Sequence, residues 1–208
     1  MTTEKVSTGE KLKVHSLIDK VYHPTNLEMA WQKVKANKGA GGIDGIYVDE
    51  FEKVAQDELK TLHMSLKDGT YEPLPVKRVY IPKRGKPGEK RPLGIPAIKD
   101  RVCQQALKNR LEPICEKTFN DCSFGYRPGR SPHDAMRKVW CEIQQGNEWI
   151  VDGDLRDFFG TVDHERLVNM VAEQVSDGRI LDLIRKMLKA GYVEDKRKYE
   201  TATGTPQG

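Results

Sequence analysis

The 208-residue sequence has no apolar run near the roughly 20 residues needed to cross a bilayer, and its polar first residues do not make a secretory leader. A membrane span is thereby excluded, no membrane partner is expected, and a cytoplasmic location follows as the working expectation. Cysteine is scarce and irregularly placed: Cys103, Cys115, Cys122 and Cys141 include no Cys-x-x-Cys pair. That excludes a zinc ribbon or disulfide framework and leaves reduced thiols. No two histidines stand at metal-ligand spacing, so none is assigned to metal. The glycine-rich stretch at 39–42 lacks the Gly-Lys-Ser/Thr of a phosphate loop and does not follow a strand, so that reading fails too.

The residues present suit a folded protein of one or two domains, with 37% apolar and 32% charged residues. The net charge of +4 is unevenly spread. Nine Lys or Arg stand against two acids between Pro75 and Arg101, a local +7, so the remainder is −3. A basic strip on a mildly acidic chain suggests a polyanion-binding face; a solvated charged surface is the alternative.

Helices are expected over residues 11–22, 26–38, 49–67 and 98–116, from apolar residues at 3.6 spacing. The second buries Leu27, Ala30, Trp31 and Val34 and stops at the glycines. Residues 71–75 read as extended because of Pro73 and Pro75. Residues 76–81 and 91–95 then form a hairpin around a flexible basic turn. Ser131 caps a helix with Pro132 at its first position and Asp134 near its positive end. Two further amphipathic helices cover 164–175 and 179–190, the first starting after the Asp163 cap.

Residues 148–159 carry the strongest chemical signal. Trp149, Ile150 and Val151 are strand formers, and the run ends in Asp152-Gly153-Asp154. A buried strand delivering acid at its end needs charge compensation, and a hard divalent cation suits that task. A solvated turn after a core strand is the plain alternative. A calcium loop fails, because its sixth and twelfth positions from Asp152 are Asp157 and Asp163 rather than Gly and Glu. An aspartyl-phosphate motif fails because the fifth residue is Arg156, and nothing upstream resembles a nucleotide-sugar domain.

The next residues, Leu155, Phe158-Phe159 and then Val162-Asp163-His164, complete a stretch that resembles motif A of reverse transcriptases of the group II intron type, with Gly160 where many relatives carry Asp. Four further blocks resemble the same family in order. These are Lys38-Gly39 through Gly42-Ile43-Asp44-Gly45, the basic hairpin with Lys83 and Arg91, Phe124-Gly125-Tyr126-Arg127-Pro128-Gly129-Arg130-Ser131, and Gly204-Thr205-Pro206-Gln207-Gly208. The resemblance implies an α+β fold: a helical N-terminal extension (1–70), fingers (71–147) and a partial palm (148–208) of a right-hand polymerase. In relatives a Tyr-x-Asp-Asp hairpin comes next, so a fragment of a larger enzyme is expected.

The implied activity is RNA-directed DNA synthesis, with Mg²⁺ (or Mn²⁺) held in the intact protein by Asp154 and the carbonyl of Leu155. Lys83, Arg91, Phe158, Phe159 and Gln207 are then the nucleotide-binding residues, and Lys77, Arg78, Arg101, Arg127 and Arg130 the RNA contacts. The implied partners are an RNA template, intron RNA, a DNA or RNA primer and dNTP; a homodimer is also open. A non-catalytic RNA-binding module that assists splicing is the competing reading. With one site carboxylate in hand, weak or absent metal binding is expected of these residues alone.

Overall fold

The structure, a computed structural model, describes residues 16–83 and 85–205. It is α+β and divides into two compact units. One takes in residues up to Arg110 and from Phe158 onward; the other is Leu111–Asp157. These limits differ from the segment boundaries expected at 70 and 147.

In the first unit, helix α1 (Ile18–Val21) begins at an N-cap on Leu17, so the helix expected over 11–22 is a single turn among the described residues, with Ser16 and Leu17 lying before it. Residues 11–15 lie outside the described ones. Helix α2 (Pro24–Asn37) opens on proline, whose missing N–H costs nothing at a first position. It buries Leu27, Ala30, Trp31 and Val34 as their spacing dictates. Helix α3 (Val48–Asp68) starts where the Glu50 carboxylate accepts from the Tyr47 amide at 3.0 Å, and it closes on left-handed Gly69. The Trp31 and Phe51 rings join the two helices at 4.9 Å.

The glycines between them answer to packing. A Cβ on Gly42 would lie 2.5 Å from the Ala97 Cα, and one on Gly41 2.9 Å from the Ile46 carbonyl oxygen. Only glycine lets this loop lie so close to the start of helix α4 (Ile98–Cys115).

Strands β1 (Val76–Pro82) and β2 (Lys90–Ile95) form the expected hairpin, with Ile81 opposite Arg91. Two short strands, β3 (Tyr192–Glu194) and β4 (Arg197–Tyr199), extend it into a sheet of order β2-β1-β3-β4. β3 runs parallel to β1, with Val76 opposite Tyr192. The sequence pattern does not anticipate this pair, because three-residue strands carry almost no periodic signal. Helices α7 (His164–Ala172) and α8 (Gly178–Lys189) complete the unit and bury Val168, Ile180 and Leu183.

Three buried polar side chains fasten these elements. The Asn26 amide donates to the carbonyls of Val21 (2.8 Å) and Ala106 (3.0 Å), and its oxygen accepts from Asn109 at 3.2 Å. Asp100 accepts from the Tyr71 hydroxyl and from the Leu74 amide at 3.1 Å, tying the extended 71–74 segment to α4. One oxygen of Asp177 accepts from the amides of Leu17 (2.8 Å) and Ile18 (2.9 Å), and the other from Arg179 at 3.1 Å. A single carboxylate therefore caps both α1 and α8.

The second unit holds the end of α4, a 3₁₀ turn (Glu116–Thr118) and helix α5 (Pro132–Gln144). Ser131 caps α5 as expected: its hydroxyl accepts from the Asp134 amide at 3.3 Å, and Asp134 accepts from the Ser131 amide at 2.9 Å. The strand expected at 149–151 is not formed, and the segment is exposed, with Trp149 at 96% and Val151 at 98%. A strand needs a neighbour for its N–H and C=O groups, and the described residues of this unit supply helices and turns but no strand. High β propensity in three residues cannot replace a pairing partner. Helix α6 (Phe158–Thr161) belongs to the first unit. Among the described residues no helix is long and apolar enough to cross a membrane.

Burial opposes the charge of Asp177, but its three amide donors and the nearby Arg179 outweigh burial and hold its pKa below the usual carboxylate range. Its contribution is present above the ordinary carboxylate pKa and lost as pH falls through the lowered one. Asp177→Ala is expected to cost about 2 kcal/mol near neutral pH. In urea unfolding the gap from the parent should shrink as the solution is acidified.

Candidate functional site

The hairpin brings two of the expected nucleotide-binding cations to its turn end. The Lys83 amide donates to the Glu89 carbonyl at 2.9 Å, closing the turn, and its ammonium pairs with the Glu89 carboxylate at 2.9 Å. Arg91 is exposed opposite Ile81. An ion pair at the surface contributes little and exchanges readily, so Lys83 can leave Glu89 for a phosphate at small cost. Lys77 is exposed on β1. Arg78 lies over the ring of Tyr192 on β3, its guanidinium carbon 3.3 Å from the ring centroid.

The other cations expected to touch RNA are placed differently. Arg101 donates through Nε to the Pro96 carbonyl at 3.0 Å and through a terminal nitrogen to the Ala40 carbonyl, clamping the glycine loop onto α4. Burial lowers its pKa, with Asp44 opposing that shift. Arg127 is buried and spends its fork on Glu116 (2.9 and 2.6 Å) and on the carbonyls of Asn120 (2.7 Å) and Ser123 (2.8 Å). The Glu116 carboxyl is held below its usual range chiefly by the bond from Arg127. Both arginines are committed to holding backbone together. Arg130 donates to the Asp121 carbonyl and lies 5.5 Å from the Phe124 ring centroid. Exposed Tyr126, at φ +59°, is presented by the turn that Arg127 ties down.

Asp154 and Leu155 lie in the exposed, irregular segment of the second unit, while Phe158 and Phe159 open the first unit's helix α6. The two rings meet edge-on at 5.3 Å and are partly exposed. Among the described residues no three His, Cys, Asp or Glu side chains converge where they could hold a metal ion. Asp154 and the Leu155 carbonyl therefore do not by themselves make a site for the expected divalent ion. They would be two of its ligands at most, and Mg²⁺ is poorly retained by one carboxylate.

The segment after the phenylalanines is tightly built. The Thr205 amide donates to the Phe159 carbonyl at 2.7 Å and the Gly204 amide to the Val162 carbonyl at 2.8 Å, and Asp163 bridges Thr203. His164 is buried and donates from Nε2 to the Gly204 carbonyl at 2.7 Å; the acceptor fixes the proton on that nitrogen. Gly204 has φ +85°, and a Cβ there would stand 2.8 Å from the Gly160 carbonyl oxygen. Residues 203–205 are thus stitched to 159–164, joining motif A to the block that contains Gln207, a residue that itself lies outside the described ones. From sequence, His164 is a member of the motif A pattern and, in local structure, a helix start. Its buried partner stands 40 residues away and leaves no local trace.

The first unit thus carries a cationic hairpin and a pair of phenylalanines held beside a glycine-threonine segment. The family model "Reverse transcriptase (RNA-dependent DNA polymerase)" matches residues 81–208. The chain belongs to that family.

Among individual proteins, the chain is 37% identical over 209 residues to "Group II intron-encoded protein LtrA" of Lactococcus lactis subsp. cremoris, covering 99% of itself and 34% of that protein. It is 37% identical over 208 residues to "Protein YkfC" of Escherichia coli, covering 97% of itself and 54% of that protein. It therefore spans about a third of the length of the first and about half of the second. Among solved structures, a chain of the "Partial Cas6-RT-Cas1--Cas2 complex" shares the fold, with a TM-score of 0.61 and 19% identity over 93% of this chain and 32% of that one.

Gly204→Ala, which forces a side chain against the Gly160 carbonyl in a left-handed conformation, is expected to cost about 1–3 kcal/mol. Hydrogen exchange would read it locally: the Thr205 amide should lose protection before the amides of α8.

Proposed function

We propose that this chain forms the fingers and the first part of the palm of a group II intron-type reverse transcriptase, which in its intact form is an RNA-directed DNA polymerase. The observation that carries the reading is the stitching of Gly204 and Thr205 onto the Phe159–His164 segment. It holds residues 203–205 fixed beside Phe159–His164 within the first unit, the kind of preorganisation that positioning a nucleotide demands. Phe159 lies beneath the incoming sugar. Lys83, as a point charge, and Arg91, as a fork, reach the triphosphate. Asp154 is a carboxylate that would hold the divalent ion. RNA template, primer and dNTP are the substrates, in the cytoplasm, and a homodimer is compatible with the reading.

A second reading is favoured by one observation. With no convergent acids among the described residues, the chain by itself is better suited to holding RNA than to chemistry. It also matches "Nuclear intron maturase 1, mitochondrial" of Arabidopsis thaliana at 35% identity over 102 residues, 49% of this chain and 14% of that protein. In that case the protein is an RNA-binding splicing module.

Primer extension on an RNA template by the intact protein separates the two. Asp154→Asn should abolish DNA synthesis while leaving RNA binding and any splicing assistance in place; synthesis unaffected by the change would remove the polymerase reading. Phe159→Ala should admit ribonucleotides that the parent rejects, whereas loss of activity with unchanged sugar preference would reduce Phe159 to core packing. Affinity for single-stranded RNA should fall roughly fiftyfold between 50 and 200 mM salt if about four phosphates are neutralised. A flat salt response would rule out backbone binding.

A further inference from the structure

The sheet carries a stack that starts on Arg78, one of the expected RNA contacts, and continues through two tyrosines that the polymerase reading does not use. The Arg78 guanidinium lies 3.3 Å from the Tyr192 ring centroid, and Tyr192 stacks on Tyr199 at 5.0 Å with only 14° between their planes. Register explains the alignment. Tyr192 pairs with Val76 and Tyr199 across the strands, and Arg78, two residues beyond Val76, falls on the same face. The column therefore crosses β1, β3 and β4 in turn and ends on Tyr199, which is 40% exposed on the sheet's outermost strand. Arg78 closes the inner end, so a further planar group can add only at the outer one.

We propose that this edge is a binding platform for single-stranded RNA, with a nucleobase stacked on Tyr199 and the neighbouring phosphates held by the cations of the β3–β4 turn and of β4. Every residue of β4 is exposed. Arg197 shares the face of Tyr199, and Lys196 and Lys198 flank it along the edge. The turn that carries them is tight, with Asp195 and Lys196 both at positive φ (49° and 64°), a conformation that non-glycine residues adopt at a cost. Rings interleaved with cations are what single-strand binders use, because a π-face accepts any base and the backbone supplies the charge. The same cations argue against an added protein strand, since basic edge residues discourage strand pairing. A duplex keeps its base faces stacked inside and gains nothing from Tyr199. The proposal rests on the RNA-handling reading of the chain, but on residues distinct from Lys83, Arg91 and Asp154.

The test uses the full chain and two labelled probes at one salt concentration, a short oligouridylate and a blunt RNA duplex of equal length, read by fluorescence anisotropy. Tyr199→Ala should weaken oligouridylate binding about tenfold and leave duplex binding unchanged, while Tyr199→Phe should keep the parent affinity. Matching unfolding midpoints for the Ala and Phe variants would show that the loss is local. Tyr199→Trp adds a direct signature, its emission quenched by the single strand and not by the duplex. Unchanged oligouridylate binding in Tyr199→Ala, or equal loss on both probes, overturns the platform and leaves at most an electrostatic face. Self-association of the chain that Tyr199→Ala abolishes without altering RNA binding would assign the edge to a second copy instead. Failure of the Asp154→Asn prediction, with the Tyr199 selectivity intact, would sink the polymerase reading and not this one.

Discussion

A polar group sealed from water must find a partner or cost kilocalories, and that constraint decides which parts of the first unit meet. Asp177 can be buried only if Leu17, Ile18 and Arg179 bring their amides to it. Asn26 needs Val21, Ala106 and Asn109, and Asp100 needs Tyr71 and Leu74. Apolar burial of Leu27, Leu62, Ile98 and Ile180 supplies the driving force, but greasy contacts tolerate many arrangements. The three polar side chains tolerate few, so they set the register between helices and with it the base of the hairpin.

The arginines and lysines illustrate how one residue type serves two ends. Arg101 and Arg127 bind carbonyls and a carboxylate inside the fold, where a planar fork with several donors satisfies more backbone than a lysine could. Lys77, Lys83 and Arg91 stand on the surface of the hairpin. The basic strip between Pro75 and Arg101 therefore overstates the charge offered to a polyanion, since its last member is spent on the glycine loop.

Much of this was legible in sequence. The helices at 24–37, 48–68 and 98–115 follow apolar periodicity, the α5 start follows Ser131-Pro132 and Asp134, and the hairpin follows its turn residues. The motif blocks pointed to the family. The hidden features depend on partners far along the chain. Trp149-Ile150-Val151 has the composition of a strand, and the described residues of its unit hold no strand to pair with it. Arg127 in its Arg-Pro-Gly-Arg setting looks like a ligand contact until Glu116 closes on it. His164 reads as a helix start until Gly204, 40 residues on, places its acceptor there. Tyr192 and Tyr199 become a stack only because the tight turn at Asp195 and Lys196 folds one strand onto the other.

The parallel pairing of β1 with β3 also fixes an order of events at the ribosome. Val76 cannot meet Tyr192 until the chain has grown by more than a hundred residues, and at about 5–20 residues per second that wait is on the order of ten seconds. α1 waits similarly for the carboxylate of Asp177. Through that interval the β1–β2 hairpin presents an open strand edge, and its proline and lysines, which blunt an edge against foreign strands, protect the nascent chain before they serve the finished one.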